Sequence, residues 1–538
     1  METENKELER MKKQKYIIVL ALMPIIFHAN THSAVKPKLS TQAEYGFTSG
    51  IDLHKPGGMA AARRMIDRLS SHDIRWLRMS LNINVKLYQN PTKITFNEYE
   101  WKPYIELYEY ARSRNMKTII TTYPAYELAQ QKLATNEFLQ SVKYQYKRLT
   151  LSFPQADVWQ IYNEANTHHK DDYLSVCRFE EFACIGNVPT QLPADYMNSL
   201  YQTIAIAREA IKEISPNSKI TTNAENGSAH SIEYMQRLKR TLDIYSFDLY
   251  PDDYDHSRNF PRLKNNLSLL KREFGDGLWI AETGRPSAQG NCTYRMSDAR
   301  KQHLFLLDLI PAIAELGIRN VNLYEYQDKD IDWYSECEKH FGITDKRGID
   351  KPASPSILKL TQLYSYMPLN AQTETSSKGL KALFNSFQDS FGRAPTLWEA
   401  YGISYDGWLA TIIDKNLTYE SLNLEHENWL MSQPGADERK AVVSRSYQVA
   451  FGRPPKAEET KWANANFRNY RSILNSHMNW IGSYNGRAER IDIVRRSYKA
   501  VLNREPISSE ISEWLSIPPK TYAELIEEHR NWMDYNVN

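Results

Sequence analysis

The chain has 538 residues, 41% of them hydrophobic, with a mean hydropathy of −0.60; this length suggests about three or four structural units, and the polarity excludes a polytopic membrane protein. Lys+Arg 67 nearly cancels Asp+Glu 65, so no polybasic field exists to hold nucleic acid through its phosphates. Gly 21 with Pro 24 excludes a collagen-like or low-complexity chain, and Cys 4 is too few to staple one this long, which leaves a hydrophobic core to hold it.

Lys12, Lys13 and Lys15 precede the apolar run Tyr16–Phe27, and the small residues Thr31, Ser33 and Ala34 follow. That order predicts a signal peptide over 1–34, because the run is short for the roughly 20 residues of a membrane span. The expected location is secreted, or periplasmic and extracellular, with no stable membrane insertion after cleavage. Export permits disulfides; Cys177, Cys184, Cys292 and Cys337 leave three connectivities open.

Over 35–370 the chain alternates short apolar runs with amphipathic stretches. Strand-like runs fall at Ala43–Phe47, Ile74–Met79, Lys117–Tyr123, Val158–Tyr162, Lys219–Thr222, Ile244–Leu249, Leu278–Ala281 and Val321–Tyr326. A helical stretch follows each, the first being Gly58–Ser71 with Met59, Ala62, Met65, Ile66 and Leu69 at helical spacing. Eight strand–helix units predict an α/β fold, a (β/α)8 TIM barrel, with a doubly wound open sheet as the alternative. A polar linker is expected over 371–380. Residues 381–538 then carry three repeats, opening at Phe391–Pro395, Phe451–Pro455 and Leu502–Pro506 and closing at His426–Trp429, His477–Trp480 and His529–Trp532. Such self-similarity predicts an all-α repeat domain, with its tryptophans read as core anchors. Its charges balance, which again disfavours nucleic acid.

Two glutamates stand directly after strand-like runs: Glu164, ending Val158–Glu164 after the fourth, and Glu282, in Leu278–Gly284 after the seventh. Barrel enzymes place their reactive groups at the C-terminal ends of strands. Two carboxylates facing one mouth suit glycoside hydrolysis, one serving as acid/base and the other as nucleophile.

These placements resemble clan A glycoside hydrolases, the barrel glycosidases with catalytic glutamates after strands four and seven, and the branch containing family 39 and exopolysaccharide-associated enzymes in particular. By that resemblance Glu164 is the acid/base and Glu282 the nucleophile. Arg78 holds the nucleophile, Asn163 contacts the sugar, and Tyr250 in Asp248–Pro251 hydrogen-bonds the nucleophile. Phe341–Pro352 matches the segment after strand eight, and the repeats resemble a helical repeat of unknown function in secreted bacterial proteins. Three positions depart from the family pattern. Ala165 stands where proline is usual, Asp248 where histidine is usual, and Tyr324-Glu325-Tyr326 where a tryptophan often ends strand eight. A negative Asp248 either favours an amino-bearing substrate or pairs with an arginine.

Tyr123, Tyr126, Tyr326 and Trp333 are candidates for stacking on sugar faces, against packing under loops. His168–Asp172 and Asp252–Asp255 lack the spacing of zinc and calcium sites, and no Walker A loop, G-x-G-x-x-G fingerprint or G-x-S-x-G elbow is present. The expected activity is a retaining O-glycosyl hydrolase needing no cofactor, whose partner is an oligo- or polysaccharide, with repeats that contact a surface glycan or protein. The rivals are a non-catalytic glycan-binding protein on a degenerate barrel and a transglycosylase using the same residues.

Overall fold

A computed structural model describes residues 43–81, 98–122, 135–166, 194–225, 227–251, 256–287, 298–329, 338–351, 353–367, 374–402, 407–464 and 467–536. The expected signal segment, all four cysteines, Tyr123, Tyr126, Trp333 and the motifs at 168–172 and 252–255 lie outside them. No described helix is long and apolar enough to cross a membrane.

The alternating segments form nine parallel strands: β1 (Glu44–Thr48), β2 (Trp76–Leu81), β3 (Lys117–Thr122), β4 (Val158–Ile161), β5 (Lys219–Thr221), β6 (Asn223–Glu225), β7 (Tyr245–Asp248), β8 (Leu278–Thr283) and β9 (Asn320–Leu323). Their order is β5-β4-β3-β2-β1-β9-β8-β7-β6. The two end strands are consecutive pieces of one segment, parted only by Thr222, so the sheet comes round on itself as a (β/α)8 barrel. The expected fifth strand is therefore split: β5 bonds to β4, and β6 bonds to β7. Thr221 bridges the seam, its hydroxyl 3.0 Å from the Ile244 carbonyl oxygen and 2.8 Å from the Ser246 hydroxyl.

The barrel helices are α1 (Gly58–Ser71), α2 (Glu98–Ser113), α3 (Asn136–Ser152), α4 (Ala194–Ile214), α5 (Ala229–Leu238), α6 (His256–Phe274), α7 (Ala299–Glu315) and α8 (Ala353–Tyr366). Helix α1 buries Ala62, Met65, Ile66 and Leu69, its apolar stripe. Thr135, Ser228 and Asp298 cap α3, α5 and α7 by accepting a backbone N–H through their side chains.

Strand alternation sorts the barrel interior into layers. Trp76, Ile119, Val158, Ile244 and Trp279 form an apolar cluster, with the two indoles edge to face at 5.0 Å. Gly46 admits them: a Cβ there would lie 2.5 Å from that of Trp76 and 2.2 Å from Asn322 Oδ1. Two residues further along β2 and β4 the inward positions become Arg78 and Gln160, and β7 ends on Asp248. The interior thus turns from apolar to polar towards the C-terminal ends of the strands.

The chain divides into two compact units at Ser377/Lys378. The expected linker at 371–380 needs correction, because α9 (Glu374–Phe391) already includes residues 374–380. Its polar opening holds small serines, of which Ser376 and Ser377 are buried, so a hydrophilic stretch still supports a packed helix. Beyond it run α10 (Leu397–Tyr401), α11 (Trp408–Lys415), α12 (Tyr419–Met431), α13 (Ala436–Phe451), a 3-10 turn at Glu459–Asn464, α14 (Tyr470–Gly482), α15 (Arg487–Leu502), α16 (Ser508–Ser516) and α17 (Tyr522–Asn536).

Each repeat is built around a buried histidine. His477 Nε2 lies 3.0 Å from Ser446 Oγ, and His529 Nε2 lies 3.0 Å from Ser497 Oγ. The serine hydroxyls donate to the Val443 and Val494 carbonyls, so the histidines are the donors. His426 instead meets Ser386 through Nδ1 at 2.8 Å. Arg393, Arg453 and Arg504 each fork onto a glutamate (Glu399, Glu459, Glu510), with Phe391, Phe451 and Tyr498 beneath the guanidinium groups. The tryptophans play a smaller part than expected. Trp429 is buried, but Trp480 and Trp532 are 43% and 50% exposed; the histidine is the centre of the core, with Trp408 packed edge to face on His426 and Trp514 on His529.

Candidate active site

Glu282 ends the inward face of β8 and is 7% exposed. Both of its oxygens are taken: Arg78 Nη1 lies 2.5 Å from Oε1, and the Tyr250 hydroxyl donates to Oε2 at 2.8 Å. Arg78, 1% exposed on β2, is itself fixed by donating from Nε to Gln160 Oε1 (3.0 Å) and from Nη2 to Asn163 Oδ1 (2.7 Å). A guanidinium and a phenol aimed at one buried carboxylate form charge-assisted hydrogen bonds that fix its position.

Across the mouth, the chain turns sharply after β4, with Tyr162 at φ 67° and Glu164 at φ 48°. Non-glycine residues in this left-handed region carry strain that surrounding structure must hold. Asn223 on β6 supplies the hold. Its Oδ1 accepts the Glu164 N–H at 2.8 Å, while its Nδ2 donates to Asn163 Oδ1 at 3.0 Å and to Asp248 Oδ2. Asn163 Oδ1 thus receives Arg78, Gln160 (3.0 Å) and Asn223 together. The Glu164 carboxyl is raised well above the ordinary range, first by burial, then by the negative charges of Glu282 and Glu225. Asp248, fully buried, is raised in the same way by burial and by Glu282 and Glu164. The arrangement can present a protonated carboxyl and a clamped carboxylate to one bound molecule.

Aromatic rings wall one side. Tyr250 meets Tyr324 and Phe341 edge to face at 6.2 and 5.5 Å, and burial raises its phenol further from ionisation. Lys329 donates to the Tyr324 hydroxyl and lies 3.6 Å from buried Glu325, whose carboxyl burial pushes up to about 8.

Of the residues singled out from sequence, Arg78, Asn163, Glu164, Tyr250 and Glu282 converge here. Tyr326 does not. β9 ends at Leu323, so the alternation that would keep 324 and 326 on one side stops. The Tyr326 ring instead packs against Phe47, and its hydroxyl accepts from Arg68 of α1, which corrects its expected stacking role. Tyr123 and Trp333 fall outside the described residues. Gln160 and Asn223 went unremarked in sequence, although polar residues at inward positions of otherwise apolar strands were the available signal. Asp248 accepts a hydrogen bond from Asn223, and the charge of Arg78 opposes the upward shift of its carboxyl. Among the described residues no group of three or more His, Cys, Asp or Glu is arranged to hold a metal ion.

Residues 191–354 match the family model Glyco_hydro_42, described as beta-galactosidase. That stretch carries Asn223, Asp248, Tyr250 and Glu282 but not Arg78, Asn163 or Glu164. No curated protein matches the chain. Similar solved structures include the beta-galactosidase of Marinomonas ef1, at 14% identity over 63% of this chain and 62% of that one with a TM-score of 0.41. A family 39 glycoside hydrolase from Bacteroides cellulosilyticus WH2 follows at 14%, over 62% and 66%, with 0.41. The GH53 catalytic domain of Ignisphaera aggregans aligns at 14%, over 61% and 92%, with 0.40. The chain carries a (β/α)8 barrel that resembles the glycoside hydrolases, its family-model match confined to residues 191–354.

Proposed function

We propose that the chain is a retaining glycoside hydrolase acting on an oligo- or polysaccharide, with Glu164 as general acid/base and Glu282 as nucleophile. The observation that carries this reading is the asymmetry of the two glutamates: Glu282 is clamped by Arg78 and Tyr250, while burial and neighbouring negative charge raise the Glu164 carboxyl well above the ordinary range. Such a divergence separates an acid from a nucleophile. Glu164 gives its proton to the departing glycosidic oxygen as a Glu282 oxygen bonds to the anomeric carbon. In the second step Glu164 takes a proton from water, whose oxygen displaces Glu282 and frees the sugar.

A secreted or periplasmic location, bacterial exopolysaccharide or cell-surface glycan as substrate, and contact of the repeats with that surface belong to the same proposal. The test is release of reducing ends from a panel of purified bacterial exopolysaccharides and of the leaving group from activated aryl glycosides, a galactoside included. Glu282→Gln is expected to lower turnover at least about a thousandfold, and Glu164→Ala to recover part of its activity on the activated substrate with azide. Wild-type-like turnover by Glu282→Gln would overturn the assignment.

A further inference from the structure

We propose that the outer end of the third repeat is a docking surface for a helix of another protein, one that carries a glutamate and, two turns further on, an arginine. Two interfaces inside the array are filled in this way, and the third repeat keeps only its own half of the same contact.

Between the first two repeats, Arg393 forks onto Glu399 of its own repeat and donates through Nε to Glu438 of α13 at 3.2 Å. Seven residues on, Arg445 bonds the same carboxylate at 2.5 Å and donates through Nε to the Phe391 carbonyl at 2.7 Å. The second and third repeats meet in the same manner. Arg453 forks onto Glu459 and reaches Glu489 of α15 through Nε at 3.2 Å. Arg496 bonds Glu489 at 2.6 Å and the Phe451 carbonyl at 2.9 Å. The incoming glutamate thus lies between two guanidinium groups. The incoming arginine closes the end of the preceding helix, where carbonyls lack intrahelical partners.

In the third repeat Arg504 forks onto Glu510, and among the described residues no second glutamate reaches it. Its side chain is 44% exposed, against 24% and 16% for Arg393 and Arg453. Val501 and Leu502 are partly exposed, whereas their counterparts Ala450 and Phe451 are buried. Ile507, whose N–H shares Glu510 with Arg504 at 2.8 Å, is 62% exposed where the first two repeats have Thr396 and Lys456. Apolar residues beside an arginine with one glutamate too few suit a helix that supplies the second, as α13 and α15 do inside the array.

The start of the array does not complement this end. Counted back from Phe391, the positions of α9 that correspond to Glu438 and Arg445 hold Lys378 and Asn385. A second copy docking head to tail would therefore set a lysine against Arg504. Asn503 stands where Gly392 and Gly452 receive the Tyr470 and Tyr522 rings, which disfavours a further repeat of this chain's own kind. The partner that fits is a single helix on a different protein.

The probe is a fluorescent, hydrocarbon-stapled peptide of the α15 sequence, Arg487–Leu502, added to the full chain and followed by anisotropy. Saturable binding is expected, weakened about fivefold by Arg504→Ala in the protein or by Glu489→Gln in the peptide. Reversing both charges, Arg504→Glu in the protein against Glu489→Arg in the peptide, should restore it. The peptide changes read the contact without touching the fold of the protein. Binding that is absent at millimolar peptide, or that ignores both single changes, overturns the proposal. Sedimentation of the chain alone tests the other occupant: self-association abolished by Arg504→Ala would assign the face to a second copy and overturn the choice of partner.

Discussion

Lowering the pH from 7 to 5 should destabilise the helical repeats through their three buried histidines. His426 is brought down to about 3 by burial and by Arg393. His477 and His529 are brought down to about 4, chiefly by burial. An unfolded histidine titrates near 6.5, so the unfolded chain takes up protons first. The stability these rings contribute is whole above about pH 6.5 and is lost as pH falls towards the folded values. At pH 5 each ring costs about 2 kcal/mol of folding free energy, or about 6 kcal/mol for the three, against the roughly 5–15 kcal/mol that holds a typical domain. In place of water, a proton there finds the Tyr447 and Phe451 rings, 4.5 and 4.9 Å from His477. Calorimetry of the full chain at a series of pH values is the assay. One transition should fall steeply below pH 6.5, and His477→Gln, which removes one titrating ring, should reduce that slope by about a third. A transition temperature that is flat between pH 7 and 5 for every unfolding step would refute the reasoning.

Further outcomes follow from the barrel and the repeats. Arg78→Lys retains the charge but loses the fork that reaches Glu282, Asn163 and Gln160 together; kcat is expected to fall at least about a hundredfold, with a stability loss of about 3–5 kcal/mol by chemical denaturation where the buried network opens. Gly452→Ala would set a Cβ 2.5 Å from the Tyr522 ring at φ 67°, so denaturant midpoints should report a loss of about 1–3 kcal/mol. The same change at Gly57, which has open space around it, should cost less, since only its φ of 80° opposes it.

The barrel was legible because its strands and helices keep their own periods: Gly58–Ser71 folds as a helix over the bounds that spacing suggested. The split at Thr222 was not, since Lys219–Thr222 reads as a single strand and only closure of the ring decides which neighbour each half bonds. The site residues at strand ends, Arg78, Glu164 and Glu282, were visible by position. Gln160 and Asn223 were not, because their part depends on what stands across the barrel. Tyr326 shows the limit of alternation, which predicts facing only while the strand lasts. In the repeats, tryptophan drew notice by size, but burial selected the histidines, whose pairing with serine from an earlier helix spans about thirty to forty residues.

Tyr470 and Tyr522, the first residues of α14 and α17, lie over Gly392 and Gly452, where an added Cβ would come within 2.5 Å of their rings. The corresponding position of the third repeat is Asn503, at φ 52°, which keeps the left-handed turn but fills the space that a tyrosine ring would need. Glycine therefore serves as a docking socket and asparagine as its plug. Asn503→Gly is expected to open at the third repeat the space that receives a tyrosine ring at Gly392 and Gly452.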